Sequence, residues 1–88
     1  MDNKKVIEAL QEQFKTELFY ANVGVQSNQD PKNVENAKWY AVQRCLGMIE
    51  LAQQLGVPYE VVEPMFQEIK EKIYKLEKTL DNPPPSII

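Results

Sequence analysis

Histidine is absent from the 88 residues, and cysteine and arginine occur once each. Each scarcity removes a class of chemistry. Zinc sites are assembled from thiolates and imidazoles, and one cysteine without histidine does not supply a ligand set. The carboxylates are scattered along the chain and form no calcium-loop pattern. Cys45 as a nucleophile would lack an imidazole base, and its place between Ala41 and Met48 on one helical face points to a core position. The three glycines stand at 24, 47 and 56, too far apart to form a phosphate-cradling loop. Pairs such as Glu8 and Glu12 read as solvated helix surface rather than as acid–base partners. No catalytic residue, metal ligand or cofactor is therefore expected, and the chain is not expected to be an enzyme.

Long apolar runs are missing too. The opening MDNKKVIEALQEQ interrupts its apolar pattern with Glu8, Gln11 and Glu12, unlike a secretory signal. No stretch approaches the 18 or so apolar residues of a membrane span. A lone cysteine makes no intrachain disulfide, which suits a reducing compartment. The expected location is cytoplasmic.

What is present is ordinary for a small globular protein: 43% apolar residues, 26% charged, and a net charge of -3. The mild acidity runs against a polyanionic partner. A chain this short buries only about 60–65% of its unfolded surface, so the core must be small. A single helical domain over residues 1–82 is expected, followed by a proline-rich tail over 83–88.

The apolar period is helical throughout, with no strand-like alternation and no internal repeat. The expected fold is all-α, a small bundle of three main helices over about 4–23, 31–55 and 58/64–80, with the second helix central. Asp2 or Asn3 can cap the first helix. Ile7, Leu10, Phe14, Leu18 and Ala21 recur every three or four residues and share a face. Gly24 is the expected terminator. The end of this helix, LFYANV, is apolar nearly all round. Asp30-Pro31 starts the second helix, with Asp as cap and Pro at the first position; Gly56 stops it.

The second helix is the most informative segment. Val34, Ala37, Ala41, Cys45, Met48, Ala52 and Leu55 form a narrow face of mostly small side chains. Trp39, Val42, Leu46 and Ile49 form a bulkier flank, and Tyr40 and Leu51 a third patch. At about 100° per residue the apolar arc covers roughly two-thirds of the circumference. A bundle helix needs an arc of little more than about 100°. Gly47, inside this helix at a cost of about 1 kcal/mol relative to Ala, suggests a close backbone approach.

Pro58 and Pro64 leave two starts for the third helix: a continuous helix from 58, or a short turn with Pro64 at the first helical turn. The second is favoured. Met65, Phe66, Ile69, Ile73, Leu76 and Leu80 form its stripe, and Glu68–Lys72 and Glu71–Lys75 are paired at i,i+4 on the far face. Ser86-Ile87-Ile88 has the shape of carboxyl ends that dock on sheet edges, although a terminus resting on its own core is the simpler expectation.

MIELAQQLGVPYEVV, from Met48 to Val62, resembles the helix-turn-helix pattern, with Ala52 at a crossing and Gly56 at the turn. Two features oppose DNA reading. The would-be recognition segment carries Glu60, Glu63, Glu68 and Glu71 and no arginine, which forfeits the favourable phosphate term. Pro64 also interrupts it.

Trp, Tyr and Arg are the residue types enriched in interface hot spots. Tyr40 and Arg44 lie four apart and could meet by cation–π contact, whereas Trp39 points towards Val42 and Leu46, where core burial is the simpler fate. The candidate partner-binding residues are Phe19, Tyr20, Trp39, Tyr40, Arg44 and Leu51. The functional expectation is protein–protein interaction without catalysis, with homodimerisation first because two-fold dimers are the commonest soluble oligomer. The alternatives are a helix-turn-helix-like nucleic-acid-binding regulator and a monomeric adaptor using the same apolar surface.

Overall fold

The computed structural model describes residues 3–79, and these form three helices and no strand. They are α1 (Asn3–Ser27), α2 (Pro31–Gln54) and α3 (Tyr59–Tyr74). The all-α three-helix bundle expected from the periodicity is the observed fold. Asp2, Leu80, the proline-rich tail and Ser86-Ile87-Ile88 lie outside the described residues.

The core takes Val6, Leu10, Phe14 and Ala21 from α1, Ala41, Val42, Cys45, Ile49 and Ala52 from α2, and Val62, Ile69 and Ile73 from α3, with Val57 from the corner. α2 packs against both other helices, and α1 and α3 meet least. The stripe of small residues on α2 explains the arrangement. Ala41, Cys45 and Ala52 let both neighbours approach closely while the larger Val42 and Ile49 fill the centre.

Gly24 does not end α1. The helix continues to Ser27, and the last carbonyls are satisfied locally, Ser27 Oγ donating to Val23 O at 2.7 Å and Asn28 Nδ2 to Gly24 O at 2.7 Å. The role of Gly24 is steric. A Cβ placed there would lie 2.9 Å from the Cβ of Ala37, so the glycine seats α1 against α2. Gly47, where close approach was expected, has nothing within 4 Å of an added Cβ among the described residues.

Asp30 caps α2 as expected, its side chain accepting from Lys32 N–H at 2.9 Å, with Pro31 in the first turn. Gly56 ends the helix at φ 104°. Its N–H donates to Gln53 O and the Val57 N–H to Ala52 O, both at 3.0 Å, the two bonds of a Schellman motif. Val57 is buried there, and Asn3 Nδ2 donates to Gly56 O at 3.3 Å, tying the start of α1 to this corner.

α3 departs from expectation at both ends. It starts at Tyr59 with Pro58 as cap and runs continuously through Pro64. Fully buried Val62 anchors the first turns, and Pro64 sits on the exposed side, where the carbonyl of exposed Glu60 can bond water. One objection to helix-turn-helix geometry therefore falls, and the acidic residues of this helix remain as the other. At the far end the helix stops at Tyr74, six residues early, because polar groups from other elements capture the chain beyond it. Gln26, buried at the end of α1, donates to Glu77 O at 2.9 Å and accepts from Thr79 N–H at 3.0 Å and Thr79 Oγ1 at 2.9 Å. Lys38 Nζ donates to Tyr74 O at 3.2 Å, placing a cation at the helix C-terminus. Glu68–Lys72 pair at 3.2 Å. Glu71 and Lys75 form no ion pair among the described residues, as Lys75 lies past the last helical residue.

The Gly24–Ala37 contact gives a direct test. Gly24→Ala is expected to lower stability by about 1 kcal/mol, since overpacking costs about 1–3 kcal/mol and the gain in helix propensity offsets about 1. Adding Ala37→Gly should relieve the clash, so the two substitutions couple favourably in a urea-denaturation double-mutant cycle.

Candidate interaction surface

Two contacts set the register of α1 on α2. Gly24 lies against Ala37, and Arg44 Nε donates to Glu17 Oε1 at 2.8 Å. Further along, Val6 and Leu10 line one groove with Ala52 and Leu55. The helices are therefore antiparallel, and the same register sets Tyr20 level with Tyr40 and Ala41.

At about 100° per residue, Tyr20 lies just outside the line of Glu17 and Gly24 that faces α2. Tyr40 and Leu51 lie just outside the line of Ala37, Met48 and Leu55 that faces α1. The outer lips of the α1–α2 seam thus carry Tyr20, Tyr40 and Leu51, exposed to 58%, 56% and 55%, and Leu55, 38% exposed, closes the seam at the end of α2. Arg44 sits between them with half its side chain exposed. Four of the six candidate residues, Tyr20, Tyr40, Arg44 and Leu51, share this face. Phe19 and Trp39 turn away from it by about one helical step each, and pack edge-on against their neighbours. The Phe19 and Tyr20 rings are 5.5 Å apart, and the Trp39 and Tyr40 rings 5.2 Å apart. Such edge-to-face pairs are worth about 0.5–1.5 kcal/mol and restrain both rings.

Trp39 is not a core residue. It is 49% exposed on the flank of α2 away from α1, and Leu46 on that flank is also open. The expected Tyr40–Arg44 cation–π contact gives way to the Arg44–Glu17 ion pair. A carboxylate that is almost buried attracts the guanidinium more strongly than a ring face does. The ammonium found over a ring is that of Lys70, 5.6 Å from the Phe66 centroid.

Sequence reasoning missed Glu17 and Lys38, both buried. Their signal was positional. Glu17 falls on the apolar stripe between Phe14 and Ala21, and Lys38 one turn before Val42. A charged residue on such a stripe requires a partner, and each has one.

Cys45 is fully buried beside this ion pair. Burial first, and the Glu17 carboxylate second, push its thiol from the ordinary 9.0 up to about 11, with Arg44 pulling weakly the other way. The thiol stays protonated at neutral pH and acts as a small apolar side chain.

Two grooves flank α1. The one between α1 and α3 encloses about 380 Å³, over Phe14, Leu18, Met65 and Ile69, with Lys15, Glu68 and Lys72 on its rim. The one between α1 and α2 is smaller, about 150 Å³, and is walled by Val6, Ala9, Leu10, Gln13, Met48, Leu51, Ala52 and Leu55. Its wall is almost wholly apolar, and it opens onto the face that carries Tyr40 and Leu51.

The protein belongs structurally to the class of small three-helix bundles, a class that by itself assigns no activity. No protein-family model, curated protein or solved structure matches the chain. Among the described residues no helix is long and apolar enough to cross a membrane.

Two measurements check this chemistry. Arg44→Leu should cost about 1–2 kcal/mol by leaving the Glu17 carboxylate unpaired, and the double change Glu17→Leu with Arg44→Leu should recover most of it, as apolar replacement of an ion pair often does. A thiol whose value is raised in the folded state favours the unfolded chain once that chain ionises. Stability should therefore fall as pH rises from about 9 towards 11, at up to about 1.4 kcal/mol per unit. Cys45→Ala should remove this component of the slope in denaturant titrations.

Proposed function

We propose that the protein works through protein–protein interaction, as a homodimer formed on the outer face of α2 together with the second half of α1. The observation that carries this proposal is the cluster of exposed Tyr20, Tyr40, Leu51 and Leu55 around half-exposed Arg44. Contiguous apolar patches on small soluble proteins mark interaction sites. Tyr and Arg are the residues that dominate binding energy at such sites. The flanking rings of Phe19 and Trp39 hold the two tyrosines, which lowers the entropy lost when they are covered. The proposed setting is the cytoplasm, where a lone buried thiol meets no oxidising partner.

Light scattering at tens of micromolar is expected to give twice the 10.2 kDa chain mass. Tyr40→Glu and Leu51→Glu should each yield monomers with unchanged helical circular dichroism. Each removes about 1.5–3 kcal/mol of burial per copy, twice in a two-fold interface. That is about a hundredfold or more in the dissociation constant. A monomeric wild-type chain would sink the proposal. A monomer that captures a different protein from its native cell, and loses it with Tyr40→Glu, would move the same surface to an adaptor role.

A further inference from the structure

We propose that two copies pair through antiparallel α2 helices crossing at Gly47, so that Tyr40 of each copy enters the apolar α1–α2 groove of the other beside Leu51 and Leu55. This geometry rests on the homodimer proposed above and goes further by assigning its axis and its contacts.

The first support is spacing. Tyr40 lies about 10 Å before Gly47 along α2, and Leu51 and Leu55 lie about 6 and 12 Å after it, at about 1.5 Å per residue. Tyr40 and Leu51 share the outer, α1-facing lip of the helix, and Leu55 lies beside them in the groove wall. A two-fold axis beside Gly47 and perpendicular to α2 exchanges its two directions. It therefore carries each tyrosine to the level of the other copy's groove. An isologous interface requires this self-complementarity, a projection and a recess equidistant from the axis on one surface. The recess is the groove of about 150 Å³ walled by Ala9, Leu10, Met48, Leu51 and Leu55.

The second support is Gly47 itself. A glycine within a helix costs about 1 kcal/mol relative to Ala. At Gly24 the Ala37 contact accounts for it, but at Gly47 nothing among the described residues lies within 4 Å of an added Cβ. A crossing helix accounts for it, because glycine at the crossing point lets two backbones approach.

The third support is area. The open parts of Tyr20, Tyr40, Leu51 and Leu55 amount to about 400 Å² of mostly apolar surface per copy, taking about 200 Å² for a whole side chain of this kind. A standard interface buries about 800 Å² per partner, somewhat over half of it apolar. Gln13, Arg44, Gly47 and Gln43, on or beside the same face, supply the polar remainder. The larger α1–α3 groove does not compete on these grounds, since ion-paired Glu68 and Lys72 rim it and no exposed tyrosine borders it.

The test uses the full chain. Sedimentation equilibrium of Gly47→Leu is expected to show a dimer at least tenfold weaker than wild type, with unchanged helical circular dichroism, since the chain's own fold leaves room for the side chain. In a Cys45→Ala background, Gly47→Cys places two thiols together at the axis, within reach of a disulfide. It should form linked dimers under mild oxidation at least tenfold faster than Gln53→Cys, which lies on the α3 side of α2. A wild-type dimer that tolerates Gly47→Leu, or that cross-links no faster at 47 than at 53, overturns this geometry and leaves the homodimer standing. A wild-type monomer at tens of micromolar overturns both.

Discussion

Two helices laid against a third cover its inner half and leave its outer half to solvent. The architecture of this bundle results from imposing that limit on α2, whose apolar residues run well past the half. The inner half is tightly resolved: Ala41, Cys45 and Ala52 admit the neighbours, and Val42 and Ile49 fill the space between them. The outer half keeps Trp39, Tyr40, Leu46 and Leu51 in water. No other helix among the described residues covers that half, and the proposed interaction surface accordingly lies on the central helix rather than on a peripheral one.

Apolar burial holds the bundle together but does not by itself choose one sliding position among several. The choice is made by a few contacts that do not tolerate displacement. Ala37 fits against α1 only where residue 24 lacks a Cβ. Arg44 reaches the one carboxylate on the stripe of α1. Gln26 and Lys38 gather the chain after α3 and stop that helix at Tyr74. No buried side-chain polar atom among the described residues lacks a partner. Buried polar groups are costly when unpaired, so alternative registers that separate these pairs are penalised. The same register that satisfies them sets Tyr20 and Tyr40 level on one face.

Much of the fold was legible in the order of residues. Three- and four-residue apolar spacing indicated the helix number and the central place of α2. Asp30-Pro31 and Gly56 marked helix ends through chemistry that acts within a few residues: a carboxylate accepting a backbone bond, a ring with φ preset, and a position at φ 104°. The excess of apolar circumference on α2 was also readable, and with it four of the residues that share a face. Gly24 was read as a stop and is a seat, and the close approach expected at Gly47 is not made among the described residues. A glycine near the end of an apolar pattern and a glycine at its centre carry no mark of which has a neighbour. Trp39 was misjudged for a related reason: its size argues for burial, but burial is settled by where α3 lies.

The sequence by itself determined the local elements, because capping, turn formation and helical periodicity depend on residues at most a turn or two apart. It also determined that one helix would present more apolar surface than two neighbours hide. Only the tertiary structure decided that Gly24 is a seat and not a stop, that Glu17 takes Arg44 from Tyr40, and that α3 ends where Gln26 and Lys38 draw its chain away. Those outcomes depend on groups from 13 to 53 positions apart in the chain, and no local pattern encodes which of them will meet.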